Sequence, residues 1–510
     1  MLSLRSVLSL AFMALLGMSV NGEQPVLTIH GSGTTNPSKC YWHIMDKMEA
    51  RAKAPLHMTY RAIGSSSGQA EFTPSDPKPL TYFGSGDIPL KSDIYDGLSA
   101  TETVLQLPVF VGAVSFFHSV PNTPTLNLTA CTLAKIMNRE ITNWDHEEIK
   151  SINPELKVPS GGLDIRVARR IDGSSSTSGI TGYLAKACDT VWPADKTGSK
   201  IDWAPGTLEC QGSGGVVDCI TEQPGTIGYL DAGHGHGAGL EEIYVQNSFG
   251  TKLTTTQSAR QGGIAGAADV DGLLPDKASD DFSSVSLLNQ PGEFTWPIAA
   301  MTYVYVRQDL RFIETPQEQA LLKAFLQSLY DDSYVQQCVD AYEFSKVDGR
   351  ALNISLAAID SLILNETAEP FVFEQDTELL NATGDWYISA KRKSAAEVEI
   401  DVLTTANQQL QSQVTELERV VQQAMLAINT LEGSATTSNG SGGSPTLVET
   451  NEAQTGAGSS EEEQNNQIAA ALAMSIISII LSGIMLAVVC VRTTVGKHDS
   501  GATQNGGMHA

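Results

Sequence analysis

Four short stretches of the chain share one design: "GSGTTNP" (31–37), "AIGSSSG" (62–68), "FGSGDIPL" (83–90) and "RRIDGSSS" (169–176). Ser and Thr supply hydroxyl donors and glycine exposes backbone N–H groups. A helix-like run that follows points the positive end of its dipole at the same place. That combination suits a tetrahedral oxyanion. One such turn alone reads as a tight turn with an N-cap. Four on one chain read as the walls of one cleft, because the carboxyl ends of strands converge in open α/β sheets. Arg169 and Arg170, neighbours on an alternating strand, face opposite ways.

Rival chemistries lack their residues. "GSGTTNPSK" does not have the spacing of a nucleotide loop, and no G-x-G-x-x-G is followed by an acidic ribose partner. "GSSSG" (64–68) has the G-x-S-x-G spelling, but no acid–histidine pair accompanies it. His234 and His236 in "GHGHG" lie two apart without a third ligand and read as a Gly-rich surface loop. Trp144 reads as core. Without a nucleophile pair, a general base or a metal cluster, the chain reads as a non-enzyme that needs no cofactor.

The elements that must hold these turns follow an α/β rhythm. "PVLTIHGSG" is a strand ending in glycine, "NPSKCYWHIMDKMEARA" is helix-like, and "HMTYRAIGSSSG" and "LTYFGSGDIPL" repeat the pattern. "LQLPVFVGAVSFFH" and "EFTWPIAAMTYVYVRQ" are long β-rich runs, with chain crossings expected near Leu107–Gly112 and Trp296–Tyr303. Residues 315–342 read as one helix, with Thr315 as N-cap and Glu318 as its capping-box partner. Residues 23–350 are too many for one small compact unit and fit two lobes.

Residues 351–393 read as a glycosylated stem, and 394–432 as a coiled coil opened by a Ser394/Glu397 capping box and ended by Gly433. Its a positions are Ile400, Asn407, Val414, Val421 and Ile428, and its d positions Leu403, Leu410, Leu417, Ala424 and Leu431. β-Branched a residues, mostly Leu at d and one Asn at a favour a parallel homodimer, with a trimer left open by sparse flanking charges. Residues 433–467 read as a flexible linker, 468–491 as a charge-free transmembrane helix, and 492–510 as a short cytoplasmic tail. The first 22 residues read as a secretory signal peptide. Together these give a single-pass type I topology, with the N-terminal domain extracellular or lumenal and the lipid bilayer as a partner.

Six of the seven cysteines precede the proposed span, enough for three disulfides with fifteen possible pairings. Cys210 and Cys219, flanking a Gly-rich loop, are the first choice for a pair. Asn-x-Ser/Thr triplets begin at Asn127, Asn353, Asn365, Asn381 and Asn439, all in the proposed outer part. A formal net charge of −26 argues against nucleic acid as a partner, though not against a small anion held by local dipoles.

In their order, the four turns resemble those of the phosphate-binding proteins of bacterial ABC phosphate importers, over roughly residues 25–350. "IMNREITNWD" and "TEQPGTIGYLD" are similar to weaker landmarks of that family. The resemblance implies a two-lobed periplasmic-binding-protein fold of type 2 that holds inorganic phosphate between its lobes. It assigns hydroxyl donors to Thr35, Ser65, Ser174 and Ser176, and backbone N–H donors to Asn36, Ser175 and Ser176. Arg170 would bind the anion, Asp172 would hold Arg170, and Ser66 would assist Ser65. Asp87 would accept the proton that hydrogen phosphate carries and sulfate lacks, so sulfate would be rejected by a few kcal/mol. Two departures stand out: Asn36 replaces a frequent aromatic residue, and Ser174-Ser175-Ser176 replaces Ser-Gly-Thr.

The expected protein is a membrane-tethered phosphate receptor serving uptake or sensing through an unidentified transporter or signalling partner. The alternative is a structural or adhesive cell-surface glycoprotein that reuses the fold.

Overall fold

The computed structural model describes residues 25–74, 80–374, 387–389 and 391–437. Strand β1 (Leu27–Gly33) leads through α1 (Ser38–Arg51) to β2 (Leu56–Ala62), then through α2 (Ser65–Phe72) to β3 (Phe83–Gly86) and α3 (Ser92–Ser99). The fifteen-residue β4 (Val104–His118), buried along its whole length, then carries the chain into a second lobe. That lobe holds β5 (Leu126–Leu128), α4 (Ala130–Met137), α5 (Glu147–Ile152), β6 (Arg166–Arg170) and α6 (Ser175–Ala187). It continues through β7 (Leu208–Cys210), α7 (Gly212–Glu222), β8 (Thr226–Asp231), α8 (Ala232–Gly237), β9 (Glu241–Gln246), β10 (Lys252–Leu253) and α9 (Thr255–Arg260). Strand β11 (Ala299–Arg307) returns to the first lobe.

The strand order β2-β1-β3-β11-β4-β8-β6-β7 explains the two lobes. β1 pairs in parallel with β2 and β3, and β11 runs antiparallel between β3 and β4. β4 pairs with β11 over Val104–Ala113 and with β8 over Val114–His118. The lobes therefore meet at Ala113/Val114, one residue beyond the first expected crossing. There Val114 N–H donates to the Ile298 carbonyl at 3.0 Å, and the Trp296 indole donates to the Val114 carbonyl at 2.9 Å. The second crossing falls within Trp296–Tyr303.

The long C-terminal helix of the first lobe is two helices, α10 (Pro316–Ser328) and α11 (Asp332–Tyr342). Asp331 caps α11 by accepting from Ser333 N–H at 2.8 Å, which breaks the run expected to be continuous. β12 (Ser345–Lys346) pairs with β4, and α12 (Gly349–Asp360) packs on it, the Ser355 hydroxyl donating to the Pro108 carbonyl at 2.9 Å. The globular body thus continues past 350 into the segment expected to be a stem. Beyond it, β13 (Val372–Phe373) pairs with β14 (Tyr387–Ile388), and Ile388 is fully buried.

Helix α13 (Ala395–Thr437) runs through Gly433 instead of ending there. One glycine costs a helix about 1 kcal/mol, too little to stop it. Its Ile400, Leu403, Leu410, Val414 and Leu417 are exposed. The compact body extends to Leu410, inside this helix.

Three disulfides form: Cys40–Cys338, Cys131–Cys188 and the expected Cys210–Cys219. Trp144 is fully buried and donates to the Gly225 carbonyl at 2.9 Å. Asn353 and Asn365 are exposed and Asn127 is half-buried in β5, while Asn381 and Asn439 lie outside the described residues. The proposed signal peptide and membrane span also lie outside them. Among the described residues no helix is long and apolar enough to cross a membrane.

Candidate anion-binding site

The first three turns meet because their glycines let backbone touch backbone. A Cβ on Gly33 would lie 1.9 Å from the Ser85 carbonyl oxygen, and one on Gly68 would lie 2.2 Å from the Gly33 Cα. β1, α2 and β3 therefore converge only with glycine at these points. The fourth turn comes from the other lobe. Gly64, at φ +95°, brings its backbone so close to Gly173 that a Cβ there would sit 2.9 Å from the Gly173 carbonyl oxygen. The Ser66 hydroxyl donates to Ser199 Oγ at 2.9 Å, and Ser174 N–H donates to the Ser199 carbonyl at 2.9 Å. Ser66 thus braces the contact between lobes and makes no bond to Ser65.

Asp87 is the hub. Its Oδ2 accepts from Thr34 Oγ1 at 2.5 Å, Asn36 Nδ2 at 2.8 Å and Ser175 Oγ at 2.8 Å, and its Oδ1 accepts from Thr302 Oγ1 at 2.6 Å. Burial pushes its carboxyl above the usual carboxylate range, while the bonds from Thr302, Thr34 and Ser175 pull it back. The Tyr305 hydroxyl and Gln69 both reach the Ile88 carbonyl, which fixes the loop after Asp87.

Arg170 ends β6 and is 4% exposed. Its Nη1 donates to Ser174 Oγ at 3.1 Å and its backbone N–H to the Tyr229 hydroxyl at 3.2 Å. Ser174 also caps α6 by accepting from Ser176 N–H at 3.1 Å, and its own hydroxyl proton stays free to donate. Desolvation lowers the guanidinium from its ordinary value, and Tyr229, Asp172, Asp231 and Asp87 draw it back up. No ion pair joins Asp172 to Arg170 among the described residues. The holding role expected for Asp172 reduces to a nearby charge on a half-buried turn residue.

Four donors buried at these turns have no hydrogen-bond partner: Ser32 Oγ in β1, Ser65 Oγ and Ser176 Oγ at the starts of α2 and α6, and Arg170 Nε. Three expected donors are engaged elsewhere, the first being the Ser176 N–H that Ser174 accepts. The Asn36 N–H points at Thr34 Oγ1 at 3.4 Å, and its side chain is tied to Asp87. Thr35 Oγ1 shares a 3.0 Å hydrogen bond with Ser213 Oγ of α7, a further bond across the cleft. Thr34, Thr302 and Ser213 were not expected in the site. Ser213 was findable, because "CQGSGG" (210–215) is a fifth strand end running into Gly and Ser.

A cavity of about 270 Å³ opens beside Asp87 and Ser175, bounded by Ile88, Ser199, Leu288 and Met301. The Gly-rich loop at 233–237 is instead the short helix α8. His234 contacts Asp231 at 2.7 Å, and His236 sits between Glu242 at 3.0 Å and Glu343 at 2.8 Å. Among the described residues no group of three or more His, Cys, Asp or Glu is arranged to hold a metal ion.

Two lobes joined by two crossings, with a polar cleft at strand ends, define a two-lobed binding protein. The chain belongs to the PBP superfamily: the model of the PBP superfamily domain matches residues 19–333. It is similar to "Phosphate-binding protein PstS" of Haemophilus influenzae, 26% identical over 285 residues, covering 55% of this chain and 78% of the relative. It is also similar to the protein of the same name from Methanocaldococcus jannaschii, 28% identical over 325 residues, covering 60% of this chain and 79% of the relative. A third, from Xylella fastidiosa, is 29% identical over 272 residues, covering 52% of this chain and 68% of the relative.

Proposed function

We propose that this protein captures inorganic phosphate in the cleft between its lobes and holds it there for uptake or sensing. The observation that carries this reading is that three partnerless buried donors, Ser65 Oγ, Ser176 Oγ and Arg170 Nε, come from both lobes to the same turns. Leaving such groups unpaired costs about 1–3 kcal/mol each, more for the charged one, and an anion with several acceptor oxygens satisfies them together. The relatives named for phosphate binding support the choice of ligand. Contacts from both lobes favour the closed form. Equilibrium dialysis of the full chain against radiolabelled phosphate tests this; no saturable binding at millimolar ligand would sink it.

The domain is an outward-facing one, anchored by residues 468–491 and glycosylated at the exposed Asn353 and Asn365. The exposed Ile400, Leu403, Leu410, Val414 and Leu417 of α13 are covered by the same helix of a second copy, as their heptad spacing supports. Sedimentation of the full chain checks the pairing. A monomer at all concentrations, or a mass unchanged by a Leu410→Asp/Leu417→Asp variant, rules it out.

A further inference from the structure

We infer that His236 is a latch between the lobes: its ring joins the second lobe to Glu343 of the first and biases the cleft toward its closed form. The inference goes beyond the phosphate reading above and rests on it for the ligand that reports closure. His236 lies in α8, the "GHGHG" stretch (233–237). Its Nε2 meets Glu242 Oε2 of β9 at 3.0 Å, inside its own lobe. Its Nδ1 meets both carboxylate oxygens of Glu343, Oε1 at 2.9 Å and Oε2 at 2.8 Å, across the lobe boundary. Glu343 caps α11 and stands two residues before Ser345, which pairs with Val111 in the first-lobe half of β4. The His236 ring rests edge-on against Phe117, in the second-lobe half of the same strand. Burial lowers the imidazole, but its bonds to Glu242 and Glu343 outweigh that and hold it at about 10, so both ring nitrogens donate.

The backbone is shaped for this contact. A Cβ on Gly233 would lie 2.2 Å from the Tyr342 carbonyl oxygen, so α8 seats on the end of α11 only with glycine there. Glu343 itself has φ +57°, in the left-handed region that favours glycine or asparagine at a helix C-terminus. A glutamate held there against that preference has its side chain committed to His236. Thr35–Ser213 and Ser66–Ser199, by contrast, join the lobes through neutral hydroxyls. A charge pair is the stronger type, although side-chain exposures of 22% for His236 and 35% for Glu343 screen this one. A site whose binding-competent form is only partly populated binds its ligand more weakly by that fraction. A pair made when the lobes meet raises the fraction. His236 and Glu343 are in this sense positioning residues that tighten phosphate binding without holding the anion.

The test is calorimetric titration of the full chain with phosphate at neutral pH, in wild type, Glu343→Gln, His236→Gln, the double variant and Glu242→Gln. Melting temperatures of the same preparations report stability separately. Glu343→Gln leaves His236 paired with Glu242, so it decides the matter even where His236→Gln fails to fold. It is expected to weaken phosphate binding about three- to tenfold, the worth of a well-formed, partly exposed charge pair. The double variant is expected to stay within about twofold of the weaker single variant, because one bond cannot be lost twice. Glu242→Gln removes a bond inside one lobe and leaves Glu343 as counter-charge. It is expected to lower the melting temperature while phosphate affinity stays within about twofold of wild type. Affinity within about twofold of wild type in Glu343→Gln makes the pair a structural contact only. That result overturns the latch and leaves the phosphate reading standing. Additive losses in the double variant overturn the latch as well. A wild-type chain that binds no phosphate overturns both.

Discussion

Replacing Arg170 with methionine separates a ligand-binding role from a structural one. Arg170 is 4% exposed, makes one side-chain hydrogen bond, to Ser174, and leaves Nε unpaired. Methionine keeps most of the buried stem and removes the unpaired donor. The gain is offset by the lost field on Asp172, Asp231 and Asp87. Ligand-free stability is therefore expected to stay within about 1 kcal/mol of wild type, a melting shift below about 4 °C. Phosphate should feel the change fully, because a buried charge pair losing one partner costs about 2–5 kcal/mol. At about 1.4 kcal/mol per decade, that weakens binding roughly thirtyfold to roughly four-thousandfold. Dialysis and calorimetric melting of the same preparations give both quantities. Affinity within about threefold of wild type would refute the placement of Arg170 against the anion. A ligand-free loss of several kcal/mol would show that its work is structural.

Two further predictions concern the attachments around the cleft. Glu397 in the first turn of α13 pairs with Arg51 of α1 at 2.7 Å, with side chains 7% and 6% exposed. Glu397→Leu leaves Arg51 buried without its counter-charge and is expected to cost about 3–5 kcal/mol, most of it recovered in Arg51→Met/Glu397→Leu. Urea unfolding measures both, and a single variant within about 1 kcal/mol of wild type would mean the pair does not fasten α13. His236 is held up to about 10, against 6.5 ordinarily, by its bonds to Glu242 and Glu343, which outweigh its burial. A folded-state pKa raised above the unfolded value gives stability that is full below about pH 6.5 and fades as pH rises through about 10. The melting temperature of wild type minus His236→Gln should therefore shrink as pH is raised from neutral through 10, and a constant difference would contradict the charged form.

What was legible in the chain was local. Strand ends running into Gly and Ser declare themselves by composition, and four such turns came out as expected at β1, β2, β3 and β6. Capping was only half legible. Thr315 and Ser394 accept the expected backbone N–H groups of Glu318 and Glu397 at 3.2 and 3.1 Å. The two glutamates do not close their boxes. Glu318 takes Thr28 N–H at 3.0 Å, 290 residues away, and Glu397 takes Arg51. A capping box is worth about 1 kcal/mol, so a buried partner elsewhere in the fold readily outbids it. Where α10 ends and α11 begins was illegible for a similar reason: apolar spacing continues through Asp331, whose side chain nonetheless starts a new helix.

The site divides along the same line. Residue types at 35, 65, 87, 170, 174 and 176 follow from local spelling and resemblance, but the partners of their side chains depend on how two lobes close. Thr302 comes from a strand that shares no turn with the other site residues, and nothing in its neighbourhood marks it. Asn36 and Ser175 are two of the three positions where the spelling departs from the family, Ser176 being the third, and both place a side chain on Asp87 Oδ2. The departures are therefore coupled through one carboxylate. If the ligand brought its own proton to Asp87, both donors would compete with it. With Thr34 they put three donors on one buried oxygen, which ties the first turn to the fourth through Asp87.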